Sequence, residues 1–225
     1  MKTSLGSKLL VLGSLLLGAQ TALANALVTL GNQDFADGAT PTTGAFLAAG
    51  AGEPAPFDGV FIGSDVTGPN FSASWTFSYG ALSGVTAGSL TLGIYDHESS
   101  AAGNQVASFT LNGIDLTSDL NTLFESHGGA SREDNVYTLT LPGSTFAALG
   151  TGTALFSLTL QGPGLGILGP TSFNGAALDF STLSITSQET PPPPTVAEPG
   201  TASLVLLVIP AFVMARRARK VASRV

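Results

Sequence analysis

The sequence contains no cysteine among its 225 residues, and its central part is almost devoid of basic side chains. Without cysteine no disulfide can form, so stability must come from a hydrophobic core. Between residues 25 and 189 the only basic side chain is Arg132, against fourteen acidic ones, which gives a formal charge of −13 there. Such a charge disfavours nucleic acid and anionic membrane surfaces as partners. It is typical of a soluble extracellular protein, or of one that meets divalent cations.

Motifs of common enzyme classes are also missing. The chain has two histidines, His97 and His127, and it has no G-x-S-x-G, no H-E-x-x-H and no lysine-containing phosphate loop. We interpret both histidines as solvated loop residues, with a metal site made of both histidines and a carboxylate as the alternative. A carboxylate pair for glycoside hydrolysis, built on Asp96 or Glu98, keeps a hydrolase as another alternative. The sequence predicts that the protein is not an enzyme.

Residues 1–24 have the pattern of a secretory signal peptide. Lys2 provides a positive start, residues 9–17 form an apolar core, and Ala22 and Ala24 form an A-x-A cleavage site. We predict cleavage by signal peptidase after Ala24, with an uncleaved anchor as the alternative.

The C-terminal part combines a stiff spacer, an apolar run and a basic cluster. We predict a proline-rich linker over residues 189–200, because four consecutive prolines favour extended polyproline II. A transmembrane segment is predicted over residues 201–225, because its apolar part carries no charge before Arg216 and, as a helix, nearly spans a hydrocarbon core of about 30 Å. Arg216 and Arg217 begin the basic cluster, which should remain cytoplasmic.

The linker ends in Ala197-Glu198-Pro199, and the order of these segments resembles the sorting signal of PEP-CTERM proteins of Gram-negative bacteria. The resemblance implies that an exosortase recognises Glu198 and Pro199 and cleaves near them. Arg216 and Arg217 would hold a transient intermediate in the inner membrane, before delivery to the cell surface or the extracellular space. The resemblance also implies a bacterium that makes exopolysaccharide and biofilms. An ordinary membrane anchor is the alternative.

Residues 25–188 are predicted to form one all-β domain. Glycine, serine and threonine are abundant, and many segments alternate apolar and polar residues with a period of two. Short strands of this kind predict an antiparallel β-sandwich of jelly-roll type. The predicted strands are 26–30, 60–62, 71–79, 89–95, 106–116, 135–141, 153–161 and 177–186.

Local signals predict how some of these segments bend. Asn112-Gly113 interrupts one strand and predicts a type I′ hairpin. The alternation changes phase between Phe180 and Leu183, which predicts a β-bulge near Ser181-Thr182.

Two helical pieces are also predicted. One covers residues 119–126, with Thr117 or Ser118 as its N-cap, and the other is a single turn at residues 144–149.

The acidic loops predict a calcium site better than any other metal site, because calcium takes six to eight oxygen ligands from carboxylates, carbonyls and water. The candidate ligands are Asp96, Glu98 and Asp179. Other loop acids considered are Asp34, Asp37, Asp58 and Asp65. Solvated acids that only increase solubility are the alternative.

Aromatic side chains offer a second kind of binding site. Trp75 shares a strand face with Phe71 and Phe77, a stripe typical of a core, whereas Tyr95 is predicted to be exposed and able to stack on a sugar. We therefore favour an exported, non-enzymatic matrix protein associated with exopolysaccharide. A carbohydrate-binding module is the alternative.

Overall fold

The computed structural model describes residues 23–97, 101, 103–162, 164–166 and 169–188. The helices within these residues are α1 (Thr43–Ala49), α2 (Thr117–His127) and α3 (Phe146–Leu149), and a 3₁₀ turn, Gly143–Thr145, leads into α3. The strands are β1 (Leu23–Gly31), β2 (Ser72–Ser78), β3 (Val85–Tyr95), β4 (Val106–Leu111), β5 (Ile114–Asp115), β6 (Asp134–Thr140), β7 (Thr153–Leu160), β8 (Gly164–Gly166), β9 (Gly169–Thr171) and β10 (Ala177–Gln188).

Eight of these strands form two four-stranded antiparallel sheets. The first sheet has the order β1-β10-β3-β6, and the second has the order β2-β7-β4-β5. The remaining two, β8 and β9, form a small hairpin that the sequence did not predict. The predicted all-β, sandwich-like architecture is therefore confirmed.

The main core lies between the two sheets and follows from the period of two. In β2 and β7, alternate residues such as Trp75 and Phe156 are buried, while the serines and threonines between them face outward. The first sheet contributes Leu90, Leu92 and Ile94 of β3 to the same core. The rings of Trp75 and Phe156 stack with their centroids 5.9 Å apart.

A second, smaller core forms because residues 32–49 pack against the other side of β3. We call residues 32–49, which include α1, the covering segment. Phe46 of α1 stacks on Tyr95 at 4.4 Å, and Phe35 stacks on Phe46 at 5.6 Å. Tyr95 is 1% exposed, and its hydroxyl donates to the carbonyl of Pro41 at 3.2 Å. The prediction that Tyr95 is exposed is therefore wrong, because it took no account of a segment that covers this face.

The β-bulge of β10 lies two residues before its predicted position. The register with β3 shifts between Leu178 and Phe180, which leaves Asp179 as the extra residue. Phe180 lies against Gly93, where an added Cβ would meet the Phe180 ring at 2.6 Å. Because Gly93 has no side chain, the Phe180 ring can lie against it. The bulge therefore falls at Asp179 and not at Ser181-Thr182.

The local predictions around α2 had mixed outcomes. The type I′ hairpin is confirmed, because Asn112 and Gly113 both have positive φ, 49° and 81°. The helix exists but begins at Thr117, which the sequence analysis had proposed as an N-cap. The Asp115 carboxylate accepts the Thr117 N–H at 3.0 Å and takes the capping role. The single turn predicted at 144–149 is confirmed as the 3₁₀ turn and α3.

One predicted strand is reduced to a single bridge. Within residues 60–62 only Ile62 pairs, with Ala176, through hydrogen bonds of 2.8 and 3.1 Å.

The first sheet has two distinct ends. Leu23 of β1 lies opposite Gln188 of β10, so the described part of the chain begins and finishes at one end, which we call the terminal end. Tyr95, Asp134 and Asp179 lie at the opposite end, which we call the acidic end.

The predicted sorting features lie mostly outside the described residues. This applies to Ala22, Glu198, Pro199, Arg216 and Arg217. The exception is the backbone of Ala24, which belongs to β1 and pairs with Ser187, so that cleavage after Ala24 would leave residues 25–31 of the strand. Within the described part of the chain, no helix is long and apolar enough to cross a membrane.

Candidate functional site

The acidic end brings together four carboxylates that lie far apart in the sequence. We call Asp34, Asp37, Asp134 and Asp179 the acidic cluster. Asp134 is close enough to the other three for their negative charges to raise its pKa. Asp134 begins β6, Asp179 is the bulge residue of β10, and Asp34 and Asp37 belong to the covering segment. The covering segment is therefore what assembles the cluster.

Asp134 is the most unusual member of the acidic cluster. Its side chain is fully buried, and neither carboxylate oxygen has a hydrogen-bond partner in the described structure. Its backbone is held firmly, because its carbonyl accepts the Gly38 N–H and its N–H donates to Ala39, both at 2.8 Å. Burial is the main reason that its pKa is raised to about 8, and the charges of Asp179, Asp37 and Asp34 raise it further.

The other members of the cluster have hydrogen-bond donors. The Asp37 carboxylate accepts the N–H of Val136 at 2.9 Å and lies 3.2 Å from Nε2 of His127. The Asp179 carboxylate accepts the N–H of Asp34 at 3.2 Å. Burial raises the pKa of Asp179 to about 6, although hydrogen bonds from the N–H groups of Asp34 and Phe35 partly oppose that rise. Each of these carboxylates keeps lone pairs that could bind a cation.

A buried histidine lies beside the acidic end. His97 is fully buried, its Nε2 lies 2.6 Å from the Tyr137 hydroxyl, and its ring packs on Phe124 at 4.3 Å. Burial lowers the pKa of His97 to about 3, so the ring is neutral at ordinary pH. The interpretation of His97 as a solvated loop residue is therefore wrong, because α2 covers the loop in which it lies. His127, at the end of α2, is partly exposed, as expected.

The predicted calcium ligands do not share one environment. Asp96 accepts the main-chain N–H of Arg132. Burial raises the pKa of nearby Asp65, and the negative charge of Asp96 raises it further. Asp179 belongs to the acidic cluster instead, and Glu98 lies outside the described residues. Among the residues that the structure describes, no three aspartate, glutamate or histidine side chains are already arranged to hold a metal ion. Calcium binding by Asp96, Glu98 and Asp179 stays a prediction.

Asp134 was not predicted as a site residue. It immediately precedes the predicted strand 135–141, a position where an acidic residue is usually solvated. Its burial depends on Phe35 and Phe46, far earlier in the sequence, whose rings attach the covering segment to the sheet. The local sequence around Asp134 therefore does not predict that it is buried.

A separate polar cleft of about 650 Å³ runs along α2. Its lining consists of hydroxyl, amide and carboxylate groups, with no aromatic side chain. The lining residues are Asn104, Asp115, Thr117, Ser118, Asn121, Thr122, Glu125 and Ser126.

Comparisons with known proteins give little further information. No protein-family model and no curated protein matches the chain. Among solved structures, the crystal structure of dimeric latent PorU from Porphyromonas gingivalis is similar over 76% of this chain, at 13% identity and a TM-score of 0.34. The chain corresponds to 14% of the length of PorU.

Proposed function

We propose that this chain is an exported, non-enzymatic β-sandwich protein that a C-terminal sorting segment delivers to the cell surface or the extracellular matrix. The observation that carries the proposal is that the stretch between the two predicted sorting segments folds as a β-sandwich. Within the described residues, every strand except the first two residues of β1, Leu23 and Ala24, lies between the predicted signal peptide and the proline-rich linker. This is the arrangement expected of a domain that is exported and then sorted.

The proposed route has two processing steps. Signal peptidase removes residues 1–24, and the segment over residues 201–225 then holds the chain in the inner membrane by its apolar run and the Arg216-Arg217 cluster. An exosortase recognises Glu198-Pro199 and releases the domain. The charge of −13 over residues 25–189 supports an extracellular destination, because self-repulsion keeps such a domain soluble. We propose that the released domain resides in the exopolysaccharide matrix of a biofilm.

We also propose that the sandwich is a jelly roll. Apart from the β8-β9 hairpin, the strands are divided between the two sheets. The first sheet contains β1, β3, β6 and β10, and the second contains β2, β4, β5 and β7. The chain therefore crosses repeatedly between the sheets, as expected for paired Greek keys.

Mass spectrometry of the protein from a host with a matching exosortase tests the sorting proposal. Mature wild-type protein should lack most of residues 201–225. Replacing both Glu198 and Pro199 by alanine should leave a full-length precursor in the membrane fraction. Replacing Glu189 and Pro191 by alanine is the matched control, because it removes an acid and a proline outside the motif, and it should be processed normally. Mature wild-type protein that still carries residues 212–225 would show that the tail is an ordinary anchor.

A carbohydrate-binding module is the second candidate function, and the cleft along α2 favours it. Hydroxyl, amide and carboxylate groups are the groups that hydrogen-bond sugars, and Ser118 and Thr122 present two of them on exposed turns of α2. A glycan array probed with and without calcium should show binding that the double variant Ser118→Ala/Thr122→Ala loses. Ser74→Ala/Thr76→Ala, on the outer face of β2, should leave it unchanged. Release of sugar from a bound glycan would instead favour the hydrolase alternative.

A further inference from the structure

The covering segment extends the first sheet at the edge of β6. Ala39 and Asp134 form an antiparallel bridge, and two main-chain hydrogen bonds of 2.8 Å flank it. Two residues further along β6, the Asp37 carboxylate accepts the N–H of Val136 at 2.9 Å. A short stretch of the covering segment is thus fixed to the strand that carries Asp134.

This arrangement buries a carboxylate without compensation. Both oxygens of Asp134 are inaccessible and have no hydrogen-bond donor in the described structure, although the burial of an unpaired charge is strongly unfavourable. The domain cannot easily supply a cation of its own, since Arg132 is the only basic residue over positions 25–189. Between described residues the only contact of salt-bridge length is that of His127 with Asp37, and it is an ion pair only when His127 is protonated. The charges that act on Asp134 itself are those of Asp179, Asp37 and Asp34, and all three are negative.

We propose that the acidic cluster is a calcium-binding site, with the buried Asp134 carboxylate at its centre and with Asp37 and Asp179 as flanking ligands. Calcium fits the donor set because the cluster offers oxygen atoms only, and because six to eight ligands can be completed with main-chain carbonyls and water. Carbonyls and water are needed, since no three acidic side chains converge beforehand in the described structure. One ion would neutralise the buried charge and join β6, the bulge of β10 and the covering segment.

The proposed site differs from the one that the sequence predicted. It keeps Asp179, replaces Asp96 and Glu98 by Asp134 and Asp37, and lies on the covered side of the first sheet. It does not depend on the sorting proposal, because calcium binding is measured on purified protein whatever the fate of its ends.

The competing explanation is a proton in place of the ion. A protonated Asp134 would be neutral and would tolerate burial, as its pKa of about 8 indicates. Added calcium should raise the melting temperature if the cluster binds it and should leave the melting temperature unchanged if the cluster holds a proton, so a single titration separates the two explanations.

The experiment uses the full-length chain in mild detergent, treated with a calcium chelator and then titrated with calcium chloride. Sodium chloride of equal ionic strength controls for general screening of the acidic surface. At free calcium about twenty times Kd, the melting temperature of the wild type should rise by about 4–7 °C. Asp119→Asn, which removes one exposed charge on α2, should show the same rise. Asp134→Asn should show none, and Asp179→Asn should show a weaker one.

Two results would overturn the proposal. If calcium leaves the wild-type melting temperature unchanged, the cluster holds a proton and no ion. If Asp134→Asn responds as strongly as the wild type, calcium binds elsewhere.

Terbium luminescence provides a second measurement that does not require a folded Asp134 variant. Terbium occupies oxygen-rich calcium sites and emits when a nearby tyrosine is excited. Tyr95 is the residue directly opposite Asp134 in the ladder between β3 and β6. We expect emission that calcium competes away and that Tyr95→Phe strongly reduces. Emission that persists in Tyr95→Phe would place the ion away from Asp134 and contradict the site.

Discussion

The two ends of the sandwich differ in how completely their buried polar groups are satisfied. At the terminal end, loops close on the sheets through main-chain bonds, such as Gln188 N–H to Gly84 and Leu82 N–H to Gly150, both at 3.0 Å. Seven buried side-chain atoms in the described structure have no hydrogen-bond partner, and all but the Trp75 indole nitrogen lie toward the acidic end. These six atoms belong to His97, Gln105, Asp134, Asn135 and Asn174.

Buried polar atoms without a hydrogen-bond partner are rare in folded proteins, so their concentration at one end sets the acidic end apart from the rest of the described structure. The terminal end follows the ordinary rules of packing and capping. The acidic end departs from those rules in the same region where Asp134 is buried. The two ends therefore differ in chemistry, and the acidic end offers the carboxylate oxygens that a cation could bind.

The largest expected effect comes from the core that both ends share. Phe156 of β7 contacts the rings of Trp75, Phe77 and Phe109, with centroids 5.8–5.9 Å apart. Phe156→Ala should lower the free energy of unfolding by about 3–5 kcal/mol, because it leaves a cavity among three rings. Chemical denaturation followed by Trp75 fluorescence measures the loss. The adjacent Leu155 is 44% exposed, and Leu155→Ala should cost far less. Equal losses in both variants would contradict the described orientation of β7.

A smaller and more local loss is expected at the acidic end. Phe46→Ala removes the ring that stacks on Tyr95 and Phe35 and should cost about 2–3 kcal/mol. Amide hydrogen exchange should speed up in residues 34–49, while β7 stays protected, because the covering segment contributes no residue to the main core and can open without it. Leu47→Ala, at a half-exposed neighbour, is the matched control. Uniform loss of protection across both sheets would show that the covering segment and the main core unfold as one unit.

Period-two alternation predicted the strands well, because burial on one face of a strand follows from its own residues. Trp75 and Phe156 could be assigned to the core without knowledge of their partners. The environment of Asp134 could not be predicted, because it depends on α1, a seven-residue helix made largely of small residues that has no clear apolar period.

The misplaced bulge has a similar origin. The change of phase in β10 is visible in its own sequence, but the exact position depends on Gly93 of the neighbouring strand, which leaves space for Phe180. Contacts between distant segments decided the details that the sequence analysis missed, and most of those details lie at the acidic end.

Acid should destabilise the domain through His97. Its pKa is about 3 when folded and near 6.5 when unfolded, so below pH 6.5 the unfolded chain binds a proton that the folded one does not. This contribution to stability is complete above pH 6.5 and is lost as the pH falls toward 3. By pH 5 the loss of stability should amount to about 2 kcal/mol. The groups facing His97 are Tyr137, Phe124 and the more distant His127.

To isolate the contribution of His97, the free energy of unfolding is measured at pH 7 and at pH 5 for the wild type and for His97→Gln. Buried carboxylates with raised pKa values act in the opposite direction, but they are common to both proteins and cancel in the difference. Between pH 7 and pH 5, the free energy of unfolding of His97→Gln should fall by about 2 kcal/mol less than that of the wild type. A wild type and a His97→Gln variant with the same pH dependence would contradict a neutral, buried His97.

The smallest effect is expected at the terminal end, where the β4-β5 hairpin turns through Asn112 and Gly113. An added Cβ at Gly113 would meet no atom within 4 Å. The only cost of a side chain there is backbone strain, because φ is 81°. Gly113→Ala should therefore cost about 1 kcal/mol, the usual penalty for a left-handed L-residue. Gly80→Ala is the matched control, because its Cβ is equally unobstructed and its φ lies outside the left-handed region. Denaturant midpoints at constant m-value measure both changes. A Gly113→Ala variant that is as stable as the Gly80→Ala control would contradict this prediction. It would mean that the turn can change from type I′ to another type at little cost, and that the terminal end is less rigid than described here.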